Sequence, residues 1–396
     1  MKDRYKRIID LGWDLEVLKN SKALVIGAGA LGNEVIKNLT LLGFGFIIVI
    51  DMDKIENHNL TRAILCREKD IGKFKSEVVA QMVKEIDPSV KVKPLVGTVQ
   101  DTIGLGVFRE VDIVFGCLDN IQTRIDVNKC CLQTDTPYID GGLKGIDGGV
   151  KIFGPPYNVC FDCITNDSLR NEAWKRFSCL KLRTRDDSGF EPTGPTSPTI
   201  SSIIAGFQVQ IAIRYLHGIQ IPVDKKLSIF GNIDDFGLFQ LFKKDECPTH
   251  NNYDRIPENE IVGINRRSSE MTVGDLVEVV QKDMGNSATI DLDYDLITHV
   301  SCKKHKINKP ILKKRGSLFV DEVECPECKK EGKKDNDLLM RQNFINQIDR
   351  CVNFLNLTLK EIGTPLYHIF EAKNFVDEKY VYKYYEINGD KELFFN

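Results

Sequence analysis

The chain has 396 residues, enough for two or three domains at roughly 100–200 residues each. Hydrophobic residues make up 42% and charged residues 28%, which supports a large buried core and excludes disorder as a global description. With 54 Lys and Arg against 57 Asp and Glu, the net charge of −3 gives no electrostatic basis for general nucleic-acid binding. No apolar run approaches the roughly 20 residues of a membrane span. The first residues, Met-Lys-Asp-Arg-Tyr-Lys-Arg, carry charge without an apolar h-region, so no signal peptide is expected and the cytoplasm is the expected compartment.

Residues 22–26 are a short apolar run and predict a buried parallel strand. Gly27-Ala-Gly-Ala-Leu-Gly32 follows at once, and 33–42 predicts a helix stopped by Gly43. A second apolar run, 46–50, ends at Asp51; 73–86 has helical spacing, and 111–115 and 137–139 predict further buried strands. Such alternation indicates an α/β sheet with crossover helices. Residues 154–198 break the pattern with Pro155-Pro156, a C-x-x-C pair and Thr193-Gly-Pro-Thr-Ser-Pro198, and read as a long functional loop. A helix is expected over 199–217, then strands at 227–230 and 238–242 that close the first domain, placed at 1–250. Composition shifts beyond 251. The second region, 251–396, is read as α+β, with a Lys-rich zinc-ribbon-like segment at 300–334 and a tail, 338–396, holding a strand-like run at 380–385.

Twelve cysteines are many for a chain expected in a reducing compartment, where disulfides are uncommon. Cys160/Cys163 and Cys325/Cys328 are C-x-x-C pairs; Cys247/His250 and Cys302/His305 are C-x-x-H pairs. Eight such ligands suffice for two tetrahedral zinc ions.

Gly27, Gly29 and Gly32 sit between a strand and a helix, where glycines let the backbone approach a phosphate and the helix N-terminus supplies positive potential. Asp51, 19 residues after Gly32, is placed to accept hydrogen bonds from ribose hydroxyls. A dehydrogenase needs little more. This chain adds Asp53, then Asn57-His-Asn59-Leu-Thr-Arg62, then Gly72-Lys-Phe-Lys75. Cations beside a phosphate loop suit a triphosphate attacked at its α-phosphorus; taken singly, Lys73 and Lys75 also fit a solvated helix start. Asp119-Asn120, after the strand at 111–115, fits either a magnesium carboxylate or a helix N-cap.

The combined string Arg4-Tyr-Lys-Arg7, Gly27 to Gly32, Asp51-Met-Asp-Lys-Ile-Glu56, Asn59-Leu-Thr-Arg62, Gly72-Lys-Phe-Lys75 and Asp119-Asn120-x-x-x-Arg124 resembles the ThiF/MoeB/HesA family, which includes the ubiquitin-activating enzymes. The resemblance covers about residues 1–250. It implies a Rossmann-like, mostly parallel sheet and adenylation of the C-terminal glycine of a ubiquitin-fold protein by Mg-ATP. By that likeness Asp51 holds the ribose; Asn59, Arg62 and Lys75 hold the phosphates; and Asp119 holds Mg2+. Arg7 matches the arginine that family dimers lend to a partner's site, which implies a homodimer. The family often has Arg-Gln where this chain has Arg62-Ala63, so any role of that glutamine is absent here.

The likeness also bears on the zinc ligands. Cys160/Cys163 matches the family's first pair. Cys247/His250 follows the 238–242 strand, where the second pair falls, whereas Cys325/Cys328 keeps two thiols but lies beyond a large insertion. The favoured sets are Cys160, Cys163, Cys247 and His250, and Cys302, His305, Cys325 and Cys328, both structural because four protein ligands leave no open position. Cys179 lies 16 residues after Cys163, close to where ubiquitin-activating enzymes carry their thioester cysteine. Lys175, Arg176, Lys181 and Arg183 surround it and would favour the thiolate; the alternative is an ordinary loop cysteine. Cys66, Cys117, Cys130, Cys131 and Cys351 lie in or beside apolar runs and are expected mostly in the core.

The expected activity is adenylation, then a thioester on Cys179 and hand-over to a conjugating enzyme, with 251–396 recruiting partners or stabilising a dimer. The alternatives are adenylation alone of a sulfur-carrier protein, of the thiamin or molybdopterin type, an NAD-dependent oxidoreductase, and a non-catalytic zinc scaffold. Neither nucleic acid nor a membrane is expected as a partner.

Overall fold

Residues 22–26, Lys-Ala-Leu-Val-Ile, form β1 (Lys22–Ile26) in a computed structural model that describes residues 4–166, 168, 196–332 and 339–395. Four of its five side chains are buried, as a central strand covered on both faces requires. It pairs in parallel with β2 (Phe46–Ile50) and β4 (Ile113–Gly116); β2 pairs with β3 (Lys91–Leu95), and β4 with β5 (Tyr138–Lys144). The sheet then turns antiparallel through β6 (Asp147–Phe153), β7 (Lys225–Phe230) and β8 (Asp235–Gln240). The order is β3-β2-β1-β4-β5-β6-β7-β8.

Two helices pack together over this sheet, Ala30–Leu42 and Pro198–Leu216. The first stops where Gly43 takes the left-handed conformation, with φ of 75°, that a C-terminal cap favours. The second starts at Ser197, whose side chain accepts from the Thr199 N–H, with Pro198 at the first helical position. Val35, Leu39, Val49, Phe115, Ile204 and Val209 are among the buried residues of the shared core. Both predicted helices begin earlier than their apolar periodicity indicates, because the caps and not the first apolar residue set their starts.

Three elements of this unit lack a clear periodic signal. β3 (Lys-Val-Lys-Pro-Leu) is a half-exposed edge strand, the place where proline is tolerated. β6 opens on Asp-Gly-Gly, which reads as a turn. The helix Ile121–Thr134 buries Arg124, Asn128 and Gln133, so its inner face is partly polar.

Among the described residues, this first compact unit runs to Arg255 and a second begins at Ile256. The second unit has its own sheet, ordered β11-β10-β13-β14-β9, with β12 also on β10. The strands are β9 (Ile261–Ile264), β10 (Thr289–Cys302), β11 (Ile307–Lys314), β12 (Arg341–Ile348), β13 (Ile369–Val376) and β14 (Lys379–Ile387). The helix Val273–Met284 opens with a reciprocal cap between Thr272 and Asp275 and buries Val273, Leu276, Val277 and Val280. Those side chains share a core with Ile290, Phe370 and Tyr385. No described helix is long and apolar enough to cross a membrane.

Candidate functional site

Hydrogen bonds align the ends of four parallel strands. The Gly27 N–H donates to the Ile50 carbonyl at 2.9 Å, the Cys117 N–H to Ile26 at 2.9 Å, and the Asp51 N–H to Leu95 at 3.1 Å. The loops after β1, β2 and β4 therefore start level. In this strand order the crossovers reverse between β1 and β4, so the loops after them flank a crevice at the carboxyl edge, where open α/β sheets bind ligands.

The three loop glycines have different tasks. Gly27 has φ of 96°, and a Cβ there would sit 2.4 Å from the Cys117 carbonyl oxygen. A Cβ on Gly32 would lie 1.9 Å from the Gly27 carbonyl oxygen. Gly29 has ordinary φ of −74°, and a Cβ there would meet nothing within 4 Å. The space before Gly29, at the start of the Ala30–Leu42 helix, suits a phosphate group. Gly32→Ala is therefore expected to destabilise the fold, on the order of 3 kcal/mol by overpacking. Gly29→Ala is expected to leave the melting temperature near wild type and weaken ATP binding at least tenfold, as read by calorimetry and thermal denaturation.

Asp51 accepts from two backbone N–H groups, Ala28 at 2.6 Å and Asp53 at 2.7 Å, which fix its carboxylate beside the glycine loop. Loss of water around it raises its pKa above the usual carboxylate range, opposed by the nearby Lys75 cation and the two N–H groups. Lys75, the first residue of the helix Lys75–Ile86, places Nζ 2.8 Å from Asp53 Oδ2. Asn59 Oδ1 accepts from the Glu56 N–H at 3.0 Å, and Arg62 Nη1 donates to the His58 carbonyl at 3.0 Å. Asp119 is exposed just beyond β4, while Asn120 caps the next helix through the Thr123 N–H at 2.8 Å. The helix-cap reading of that pair is met by Asn120. Arg7 lies exposed on the short helix Lys6–Asp10. Cys179 lies outside the described residues.

Two four-residue clusters stand apart from this crevice in chemistry. Cys160 Sγ is 3.6 Å from Cys163 Sγ and 3.4 Å from Cys247 Sγ, and Cys163 Sγ is 3.3 Å from His250 Nδ1. In the second unit, His305 Nδ1 is 3.6 Å from Cys302, 3.5 Å from Cys325 and 3.4 Å from Cys328. Zinc bonds of about 2.3 Å to sulfur and 2.0 Å to nitrogen put tetrahedral ligand atoms roughly 3.5–3.8 Å apart, so both donor sets fit that ion. Each histidine's other nitrogen has a partner: His250 Nε2 lies 3.2 Å from the Tyr157 carbonyl and His305 Nε2 3.1 Å from Glu331 Oε1. Such contacts fix the tautomer that leaves Nδ1 to coordinate. The groupings are those favoured from the sequence. Of the other described cysteines, expected mostly in the core, Cys66 and Cys131 are buried, Cys117 and Cys130 are partly buried, and Cys351 is exposed.

Sequence reasoning overlooked several residues that shape the crevice. Asn33 is fully buried; its Oδ1 accepts from the Leu65 N–H at 2.9 Å and its Nδ2 donates to the Ala28 carbonyl at 2.6 Å, tying the glycine loop to the segment after Arg62. An amide on the inner face of an apolar helix was the available signal. Buried Gln208 donates to the Gly116 carbonyl at 3.2 Å and the Ile139 carbonyl at 2.9 Å. Asp140, Lys151 and Tyr138 form a buried polar cluster with Arg124 that no spacing rule connects.

A glycine loop with open space before it, a fixed acid at the next strand end and cations at the following helix start define a mononucleotide-binding α/β unit. The chain belongs to the ThiF family, whose sequence pattern matches residues 5–249. It is 37% identical over 166 residues to "SUMO-activating enzyme subunit 2" of Dictyostelium discoideum, covering 41% of this chain and 25% of that protein. It is 39% identical over 163 residues to "NEDD8-activating enzyme E1 catalytic subunit" of Caenorhabditis elegans, covering 38% of each. The matched parts thus span well under half of these relatives. Among solved structures, that of E. coli MccB with SeMet MccA superposes with a TM-score of 0.50 at 25% identity, covering 63% of this chain and 74% of that one.

Proposed function

We propose that this chain uses Mg-ATP to adenylate the C-terminal glycine of a ubiquitin-like protein, then takes the acyl group onto Cys179 and passes it to a conjugating enzyme. The observation that carries the first step is the open cradle before Gly29, with Asp51 held to the Ala28 N–H beside it and the Lys75 cation near Asp51. A carrier carboxylate oxygen attacks the α-phosphorus, and pyrophosphate leaves. Asp51 orients the ribose. Asn59, Arg62 and Lys75 bind the phosphates and offset charge on the phosphoryl oxygens. Asp119 and Asn120 would hold a magnesium ion, and that ion would neutralise phosphate charge. The chain's main task is placing two anions together and stabilising the charge that develops, so the reaction needs no dedicated general base. In the second step the Cys179 thiolate attacks the acyl carbon and AMP leaves.

Arg7 supports a homodimer in which each chain lends this arginine to its partner's site. The two Cys/His clusters hold structural zinc. Cys247→Ser is expected to remove one zinc per chain and Cys325→Ser the other, by elemental analysis; loss of the same ion in both would overturn the assignment.

The test combines the protein, Mg-ATP and lysate from the native host, resolved on a non-reducing gel. The expected result is an ATP-dependent adduct of small-protein size that thiol reductant removes, with the carrier named by mass spectrometry. No adduct and no AMP would defeat the proposal. AMP without an adduct would retain adenylation and reject the thioester, as for a sulfur-carrier activator.

A further inference from the structure

Asp140, the third residue of β5, is completely buried. One carboxylate oxygen bonds Arg124 and accepts from the Tyr138 hydroxyl at 3.0 Å; the other is 3.0 Å from Lys151 Nζ. A buried cation, Arg124, and a partly buried one, Lys151, thus share one carboxylate. Such an excess of charge must be offset by oriented dipoles or a π face. Arg124 finds the Gly141 carbonyl at 2.9 Å and the Leu118 carbonyl. The ring of Phe161 supplies the rest: its centroid is 4.7 Å from Lys151 Nζ and 6.0 Å from Arg124 Cζ.

Phe161 lies between Cys160 and Cys163, within the first Cys/His cluster. Its N–H donates to Asn128 Oδ1 at 3.0 Å, and the adjoining Asp162 accepts from the Thr249 hydroxyl at 3.0 Å, between the other two ligands. The cluster therefore sets where the ring sits. At the far end of the chain of contacts, Arg124 holds the carbonyl of Leu118, the residue immediately before Asp119.

We propose that Phe161 makes the Cys160/Cys163/Cys247/His250 cluster a positioning element of the nucleotide site, seating Arg124 so that the Leu118 carbonyl, and with it Asp119, is presented to a divalent cation. The proposal rests on the reading of Asp119 as the magnesium carboxylate. Phe161 and Arg124 touch neither nucleotide nor carrier; they act through the peptide that carries Asp119.

The experiment is calorimetric titration of the full-length, zinc-loaded chain with ATP across a magnesium series, for wild type, Phe161→Leu and Arg124→Lys. Phe161→Leu keeps an apolar side chain and removes the π face. It is expected to retain wild-type zinc content and magnesium-free ATP affinity, and to need about tenfold more magnesium at the midpoint. Arg124→Lys keeps the charge and loses the two-pronged hold on the carbonyls, and should shift the midpoint at least as far. An unchanged midpoint in zinc-replete Phe161→Leu overturns the proposal. Should Phe161→Leu lose zinc or fold, an unchanged midpoint in Arg124→Lys overturns it instead. ATP binding by wild type that ignores magnesium overturns the reading of Asp119 as well, whereas a magnesium-dependent wild type with unmoved variants overturns the coupling alone.

Discussion

Replacing Lys75 by alanine is expected to lower carrier-dependent ATP–pyrophosphate exchange by a factor of about 10²–10³, with thermal unfolding within a few degrees of wild type. Lys75 opens a helix beside the glycine loop, and its side chain is only 13% exposed, so its charge acts at short range with little screening. Its present partner, Asp53, is 44% exposed and can regain water once the lysine is gone, which limits the stability cost. Lys73 is the internal control. It precedes the same helix, is 53% exposed and pairs with Asp70 at 2.9 Å. Lys73→Ala should change exchange less than twofold. Equal losses at the two positions would mean that general positive charge, not Lys75 itself, supports the reaction. A large loss at Lys73 alone would reverse the assignment.

The difference between those two lysines also marks where sequence reading ends. Spacing identified both and the family resemblance singled out Lys75; the physical difference appears in the fold, which pairs Lys75 with Asp53 and Lys73 with Asp70. The strands β1 and β2 were legible to the residue because both faces are buried and the runs end abruptly at Gly27 and Asp51. The glycine cradle and the four metal half-sites were legible for a related reason: backbone clearance and tetrahedral coordination each demand particular residue types at fixed local spacing. The Arg124–Asp140–Lys151 cluster was not. Its members come from a helix and two strands; Arg124 belongs to the family string, but no spacing links it to Asp140 and Lys151, which in sequence look like ordinary surface charges. β3 and β6 were missed because an edge strand bearing proline and a strand opening on glycine carry loop signals. In the second unit the long β10 hid for another reason. Its pairing shifts register between Asp291 and Leu296 and again between Ile297 and His299, so the alternation that marks a strand is twice interrupted.

Cys179→Ala is expected to abolish the reductant-sensitive adduct completely while leaving pyrophosphate exchange within about twofold of wild type, since thioester formation follows adenylation and uses a separate group. The expectation gains weight from what the other cysteines cannot do. Six of the twelve belong to the two metal clusters. Burial pushes the Cys66 thiol up to about 11 and raises Cys117 and Cys131 as well, so at neutral pH these are almost wholly protonated and poor nucleophiles. Cys130, half-buried on the helix Ile121–Thr134, directly precedes buried Cys131. Cys351 is exposed and has the access that a thioester site needs, but Arg350 is the sole cation among its three nearest residues on either side. Cys179 instead has Lys175, Arg176, Lys181 and Arg183 within four residues, a local charge that favours the thiolate and would attract the adenylate's phosphate. Cys351→Ala is therefore the paired control, with a wild-type adduct expected. An adduct that survives Cys179→Ala and disappears in Cys351→Ala would move the nucleophile to the second unit. Loss in neither variant would point to Cys130, or to a cluster thiol freed from its metal, and chelation before the assay would separate those two, since only the cluster thiol depends on zinc.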